Sequence, residues 1–370
     1  MYEIRSSAGL IWHPRRDRND HAVMAANVAL ELNRAGSMTF RLPPSHPAFD
    51  LLPALSSECW LLQDGEELFR GRVLYSDRDI RNCKEIVCEG LLNVLNDECL
   101  RPEDLSGSGR YSGSAAGLIN KLCTAYNSRQ TGAVPFVRGT VDNFGTVVCE
   151  ATDYPQIGDF LQDVISAYGG YVSVRRVNGQ NVIDYTVSSG SAGEQAIRFG
   201  ENLLDLQEHV SGEDVYTVVI PLGKDQGENA GRLTIKRAAN SGGRDYIENA
   251  AAIASLGVRV ARVVTFDEID DPDELYAAGV SVFSQGGGLV TGITLSAADL
   301  RDGGVETDNL RLGKIHRVQS IPHGIDTNMP LTKMDVNLMR PDEANYTFGI
   351  RTMSLTDQVS GKAVRRPQNT

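Results

Sequence analysis

Six histidines, six cysteines and 48 acidic residues are the side chains from which this chain could build a reactive site. The histidines are His13, His21, His46, His209, His316 and His323. None belongs to an HExxH helix and none has a second histidine one turn away, so the spacing for a zinc centre is missing. His13 and His46 each precede a proline, which places them in extended connections. The cysteines, Cys59, Cys83, Cys88, Cys99, Cys123 and Cys149, contain no CxxC pair. Cys83 and Cys88 flank a strand-like run, where a thiol serves as a small apolar side chain. Cys149 beside Glu150 reads as a strand residue, because the local signature of a papain-like nucleophile is absent. No GxSxG turn presents a serine. Gly286 to Gly288 is not followed by Lys-Ser or Lys-Thr, so it is no phosphate-cradling loop; it reads as a hinge or a hairpin tip. Asp267, Glu268, Asp270, Asp271, Asp273 and Glu274 are dense in carboxylates, but lack the alternation and central glycine of a calcium loop. They read as a solvated turn and the acidic start of a helix. Two of these acids could hydrolyse a glycoside only at a separation that sequence does not reveal. No catalytic, cofactor-binding or metal-ligating residue is assigned, and no cofactor is expected.

The elements around these residues are short. Residues 20–33 give a weak strand signal whose alanines leave a helix open. Ser37 to Leu42 alternates at Met38, Phe40 and Leu42, as a strand does. Cys59 to Gln63, Glu67 to Tyr75 and Lys84 to Cys88 follow as strands. Asp64-Gly65 between the first two is the pair a type I′ hairpin demands. Gly90 to Leu95 predicts a short helix, and Ser106 to Gly113 a Ser/Gly-rich loop. Helices are predicted over Ser114 to Asn127, with Ser114 as N-cap, and over Asp159 to Tyr168, stopped by Gly169-Gly170. Tyr171 to Arg175 and Val182 to Val187 form a hairpin across Asn178-Gly179. Beyond residue 197 strands are predicted at Val215 to Ile220, Leu233 to Ile235, Val258 to Phe266, Gly292 to Ala297 and Gly313 to Ile321. Pro272 to Ala278 is a short helix capped by Asp271, with proline at its first position. Pro330 to Met339 shows a mixed period. Val359 to Thr370 reads as a polar, basic tail.

A chain of 370 residues is long enough for two to four domains. The 41% hydrophobic and 23% charged content fits a folded protein, and 37 glycines suit short strands and many turns. A net charge of −12 argues against nucleic-acid binding, which depends on neutralising phosphates. No run of about 18 apolar residues predicts a membrane span, and Met1 to Arg18 lacks a signal-peptide core. Folding in a cytoplasm is expected, where scattered thiols need no disulfides.

Several stretches, in order, resemble one family, the phage minor structural proteins sometimes labelled prophage tail endopeptidases. They are Asn33 to Phe40 (NRAGSMTF) with His46-Pro47, Asp64-Gly65 through Phe69 to Val73 (FRGRV), and Cys88 to Leu92 (CEGLL). Then come Tyr168 to Tyr171 (YGGY), Phe199 to Asp205 (FGENLLD), Tyr216 to Gly223 (YTVVIPLG), Ala298 to Leu300, Leu312-Gly313 and Ser320 to Asp326. The resemblance runs from near the N-terminus to about residue 350 and implies an α+β, mostly β, multidomain baseplate-hub fold. Two related β-barrel-like tube domains would carry two inserted α+β domains. The expected boundaries are 1–96 plus about 198–213 for the first β-domain and 97–197 for its insertion. The second β-domain would be 214–262 plus about 306–350, with a small insertion at 263–305 and a tail at 351–370.

The function this resemblance implies is structural. Such a hub forms a trimeric ring that adapts a hexameric tail tube to the tip, since two similar surfaces per chain offer six contacts. Its implied partners are two more copies, a distal tail or tail-tube protein, the tape-measure protein, and a tail-tip fibre, spike or receptor-binding protein. DNA would pass through without specific binding, and no membrane anchor is expected. The implied location is the virion tail tip, after synthesis in the bacterial host cytoplasm. Cell-wall degrading activity in the family sits in an additional C-terminal domain, which is expected to be absent here. The alternatives are a tail-associated cell-wall endopeptidase and a carbohydrate-binding tail adhesin.

Overall fold

The computed structural model describes residues 1–14, 21–130, 132–151, 153–211, 215–227, 231–267, 269–285, 290–301, 304–305 and 307–352. The chain is mostly β and divides into two units, one of residues 1–206 with 295–349 and one of 207–294 with 350–370.

The first unit opens with β1 (Tyr2–Ser6), β2 (Gly9–Trp12), β3 (Ala25–Glu31), β4 (Ser37–Leu42), β5 (Glu58–Gln63), β6 (Glu66–Arg78) and β7 (Lys84–Gly90). In β3 the residues Ala26, Val28 and Leu30 are buried while Ala25, Asn27 and Glu31 are exposed or nearly so. That period of two decides for a strand where alanine content left a helix open. Asp64 and Gly65 take φ of 54° and 88°, the left-handed pair of a type I′ turn, and join β5 to β6. A 3₁₀ turn over Leu91–Asp97 follows β7 where a short helix is predicted.

Next come α1 (Pro102–Leu105), β8 (Arg110–Ser114), α2 (Ala115–Arg129), β9 (Phe136–Val141), β10 (Thr146–Glu150), α3 (Ile157–Tyr168), β11 (Tyr171–Val177) and β12 (Gln180–Thr186). The predicted loop over Ser106 to Gly113 is corrected in its second half. Residues Arg110 to Ser114 pair antiparallel with β10, a partner more than thirty residues away that no local signal announces. Ser114 caps α2 as expected, its side chain accepting from Gly117 N at 3.1 Å. Asn178 (φ 49°) and Gly179 (φ 78°) make the predicted hairpin between β11 and β12. The three-stranded order is β11-β12-β9, which leaves β11 as an edge. Leu118, Ile119 and Leu122 of α2 pack with Phe160, Leu161 and Val164 of α3 over Phe136, Val147 and Tyr185. Each such side chain removed from water contributes about 1.5–3 kcal/mol before entropy is counted.

The chain then makes β13 (Ile197–Arg198) and leaves the unit along β14 (Leu203–Ser211). The second unit is built on β15 (Val218–Asp225), which pairs with β16 (Arg232–Thr234), β17 (Ile247–Glu248) and, in parallel, β18 (Ala261–Thr265). Strand β15 begins three residues later than predicted, Ile235 opens a 3₁₀ turn, and β18 is shorter than predicted at both ends. Helices α4 (Ala250–Leu256) and α5 (Pro272–Gln285) complete it. Asp271 caps α5, accepting from Asp273 N and Glu274 N at 2.9 Å, and the helix runs a further seven residues past the predicted end at Ala278. Its core is two adjoining clusters, one of Tyr216, Val219, Val264 and Val282 and one of Ile235, Ala238, Ile247 and Leu275, with Phe266 and Phe283 packed against both. Gly286 to Gly288 and Val359 to Thr370 lie outside the described residues.

The return strand β19 (Val290–Ala297) leads back to β20 (Ile315–Ser320), β21 (Ile325–Asn337) and β22 (Asn345–Thr352). In the large sheet the order is β2-β1-β5-β6-β7-β4-β3-β21-β22-β19-β14, with β20 on β21 and β13 on β20. The expected grouping of 214–262 with 306–350 therefore differs from the pairing. Strand β21 pairs with β3, Val336 opposite Val28, so residues 315–349 share a sheet with the first ninety residues. Residues 218–265 instead form their own sheet, with α5 from the expected 263–305 insertion packed on it.

Candidate functional site

Side chains able to do chemistry are held as structure. Cys59, Cys83, Cys88 and Cys123 are buried, Cys149 is half-buried and Cys99 is exposed. Burial pushes the Cys123 and Cys149 thiols up to about 12, so neither supplies a thiolate near neutrality. The bond to Cys59, and then burial, raise the Cys88 thiol further. His46 contacts Ile11 O through Nε2 at 2.9 Å and accepts from Ala48 N at Nδ1 at 3.0 Å, with burial lowering its pKa. Of the acidic cluster, Asp271 caps α5, Asp267 pairs with Arg232, and Asp273 accepts from Ala239 N at 2.7 Å. Glu268 lies outside the described residues. Among the described residues no group of three His, Cys, Asp or Glu side chains could hold a metal ion. No helix among them is long and apolar enough to cross a membrane.

Polar residues do converge within the first unit, on the segment that enters β13. Gln195 is buried; its Nε2 donates to Asp299 Oδ1 at 2.9 Å and its Oε1 accepts from Leu300 N at 3.0 Å. Asp299 Oδ2 accepts from Leu310 N at 2.9 Å. Asp308 takes Glu194 N at 3.1 Å, Gln195 N at 3.0 Å and the Lys314 ammonium at 2.9 Å. Burial alone would raise the Asp308 pKa; the Lys314 bond and the two amides outweigh it and lower the pKa. His316 on β20 meets Gln195 O at 2.7 Å through Nδ1, so the neutral ring carries its proton there. Its Nε2 is buried and has no hydrogen-bond partner among the described residues, and burial lowers its pKa. These groups answer one another, and each carboxylate is filled by backbone amides or a cation. The cluster is a joint that pins residues 194–195 to β20 and to the turn after β19.

A second joint locks the β5–β6 turn. Asp64 Oδ2 accepts from Asn309 Nδ2 at 3.0 Å and faces Arg301 Nε at 3.4 Å. Partial burial opposes ionisation, yet the bonds from the Met1 amine, Asn309 and Arg301 bring its pKa down to about 2. Buried Gln63 donates to Tyr2 Oη at 2.9 Å and to Asn309 Oδ1 at 3.2 Å.

The third joint starts from Asn33, in the left-handed region at φ 62°. Its Nδ2 donates to Gly170 O at 3.0 Å and its Oδ1 accepts from Val172 N at 2.8 Å. Gln162 donates to Asn33 O at 2.6 Å. Here lies a cleft of about 290 Å³ lined by Leu30 to Ala35, Leu68 to Arg70 and Tyr171 to Val174.

The stretches that carry the family resemblance thus occupy these joints. Asn33 meets the Tyr168–Tyr171 stretch, Asp64 meets Arg301 and Asn309, and Asn202 O accepts from Ala298 N at 2.9 Å. Gly90 is required by packing, since a Cβ there would lie 1.7 Å from Ala35 O. Gln195, Asp308 and His316 had no signal in the sequence, because each is an ordinary polar residue made important only by remote partners.

Residues 191–359 match the family model described as prophage endopeptidase tail. No curated protein matches the chain. In structure it is similar to the 43 kDa tail protein of prophage MuSo2 from Shewanella oneidensis, with TM-score 0.55 and 10% identity over 97% of this chain and 99% of that one. The tail protein from Neisseria meningitidis MC58 gives TM-score 0.56 and 14% identity over 95% and 96%. Prophage tail protein gp18 from Listeria monocytogenes EGD-e gives 0.53 and 13% over 96% and 95%. The chain as a whole has the fold of prophage tail proteins, and its residues 191–359 are similar to the prophage endopeptidase tail family.

Proposed function

We propose that this chain is a structural hub subunit of a phage or prophage tail tip and not an enzyme. The observation that carries the reading is the use made of the family-matched segment. Gln195, Asp299, Asp308 and His316, all within it, bond to backbone and to one another, and the one serine–histidine contact of the segment, Ser320 Oγ to His323 Nδ1 at 2.6 Å, has no carboxylate paired with its ring among the described residues. A ring of three copies would surround the channel for DNA and tape-measure protein and would meet a hexameric tube or distal tail protein above. A fibre, spike or receptor-binding protein would follow below. In this reading the β1–β7 group and the group of β13, β14 and β19–β22 act as the two related contacts of each chain. Residues 97–187 and the unit built on β15 act as the insertions, which gives a four-part hub. Its place would be the virion tail tip, after synthesis in the host cytoplasm. The reading is tested by imaging purified tails: three copies in a ring at the tip support it, and six copies, one copy or a position elsewhere overturn it.

The family's own description favours a second reading, a tail-associated endopeptidase. Purified chain incubated with labelled peptidoglycan separates the two. The hub reading expects no release; saturable release abolished by a single Asp, Glu or Cys replacement would establish the enzyme.

A further inference from the structure

The side chain of Asn33 imitates a strand. In a parallel pair, one residue donates to the carbonyl before its opposite number and accepts from the amide after it. The Asn33 carboxamide does this to residue 171, donating to Gly170 O and accepting from Val172 N. It sits on the free side of β11, the edge of its sheet.

The register of the β11–β12 hairpin says what lies beyond. Val177 pairs with Gln180 across the two-residue turn, and the pairing runs unbroken to Tyr171 opposite Thr186. Residues 171, 173, 175 and 177 therefore exchange bonds with β12, while 172, 174 and 176 turn their N–H and C=O groups to the other side. Val172 N–H is satisfied by Asn33. No partner for the Val174 or Arg176 main-chain groups occurs among the described residues. An edge with unpaired donors and acceptors at a spacing of about 6.6 Å is a template for another strand.

Beside this edge runs the cleft of about 290 Å³. Its charged lining residues are Arg34, Arg70 and Glu31. Arg70 is already paired with Glu67 and Glu58, whereas Arg34 is exposed and has no ion pair among the described residues.

We infer that the cleft beside β11 takes an extended, acidic polypeptide segment of another protein, added as a strand parallel to β11. Asn33 supplies the first rung and sets the register. The incoming main chain bonds Val172 O and Val174 N, then Val174 O and Arg176 N, and one of its carboxylates meets Arg34. Main-chain bonds would give affinity and the arginine selectivity by charge. The inference concerns the isolated chain and does not depend on its role in a tail.

The test is residue-resolved amide exchange on the full chain, alone and with a decapeptide of alternating Val and Glu, against a counterpart of alternating Val and Lys. The amides of Val174 and Arg176 are expected to exchange freely alone and to slow about tenfold with the acidic peptide near saturation. The basic peptide should leave them unchanged. Arg34→Glu, at an exposed and unpaired position, should abolish the slowing without altering the fold. Val174→Pro deletes an N–H that has no partner, so the chain should still fold while protection at Arg176 is lost. Unchanged exchange with the acidic peptide, equal slowing by both peptides, or slowing that persists in Arg34→Glu would overturn the inference.

Discussion

Gly193 lies flat against the imidazole of His316, so close that a Cβ on it would stand 2.2 Å from the ring's Cε1. The ring is fully buried and its other edge meets Phe348, centroid to centroid at 5.6 Å. Nothing there can yield without moving β20. Gly193→Ala is expected to destabilise the chain by about 1–3 kcal/mol, the cost of overpacking a filled core. Urea unfolding of the variant beside the wild type measures it. An unchanged midpoint would mean that residues 190–196 do not pack on β20 as described.

Acid should act on the same joint. Burial lowers the His316 pKa below its ordinary value, so the unfolded chain binds more protons than the folded one once pH falls below about 6.5. The stability this neutral ring contributes is present above that pH and is lost as pH falls toward the folded pKa. His46 adds in the same direction. Asp299, Asp308 and Lys314 are the charged groups around the ring. Asp308 and Asp64 have lowered pKa values, so their contribution is present above about 4 and is lost as pH drops further. Melting temperature should therefore fall in two stages, and His316→Gln should flatten the one between pH 7 and 5. An identical slope in the variant would contradict the assignment.

Gly90 provides a steric test at a different joint. Its φ is an ordinary −73°, so alanine is barred by space alone, by Ala35 O at 1.7 Å. Gly90→Ala is expected to cost about 3 kcal/mol or more, because a backbone carbonyl must move. Ser114→Ala should cost only about 1 kcal/mol, the value of one helix cap. Equal effects in thermal unfolding would contradict the packing described at the end of β7.

Thiol reactivity checks the burial pattern directly. In the folded chain a maleimide or aromatic disulfide reagent should label Cys99 rapidly and the four buried cysteines only on unfolding. Cys149 should react slowly, since burial holds its thiol up to about 12. Fast labelling of Cys59 or Cys88 in native conditions would contradict the core of the large sheet.

What could be read in advance was whatever had a local cause. Asp64-Gly65 and Asn178-Gly179 announce hairpins because their backbone must enter the left-handed region. Ser114 and Asp271 announce helix starts because the first amides need an acceptor. The mixed period of Pro330 to Met339 had a local cause of another kind. Met329 and Leu331, then Met334 and Val336, are buried, and the register against β22 shifts between Leu331 and Lys333, so a bulge breaks the alternation. Long-range choices left no mark. Nothing in Val28 or Val336 says that they will lie opposite each other across some three hundred residues. Strands β1, β2, β9, β13, β14, β17 and β22 and helices α1 and α4 went unread for the same reason or because they are short. The joints made by Gln195, Asp299 and His316 appear only when the sheet has closed around them.

Electron cryo-microscopy of tails purified from cells producing the phage particle tests the central claim most directly. The account predicts density for this chain at the tail tip as a closed ring of three copies, each presenting two similar β surfaces toward the tube. Particles with this chain in six copies, in one copy, or away from the tip would contradict it.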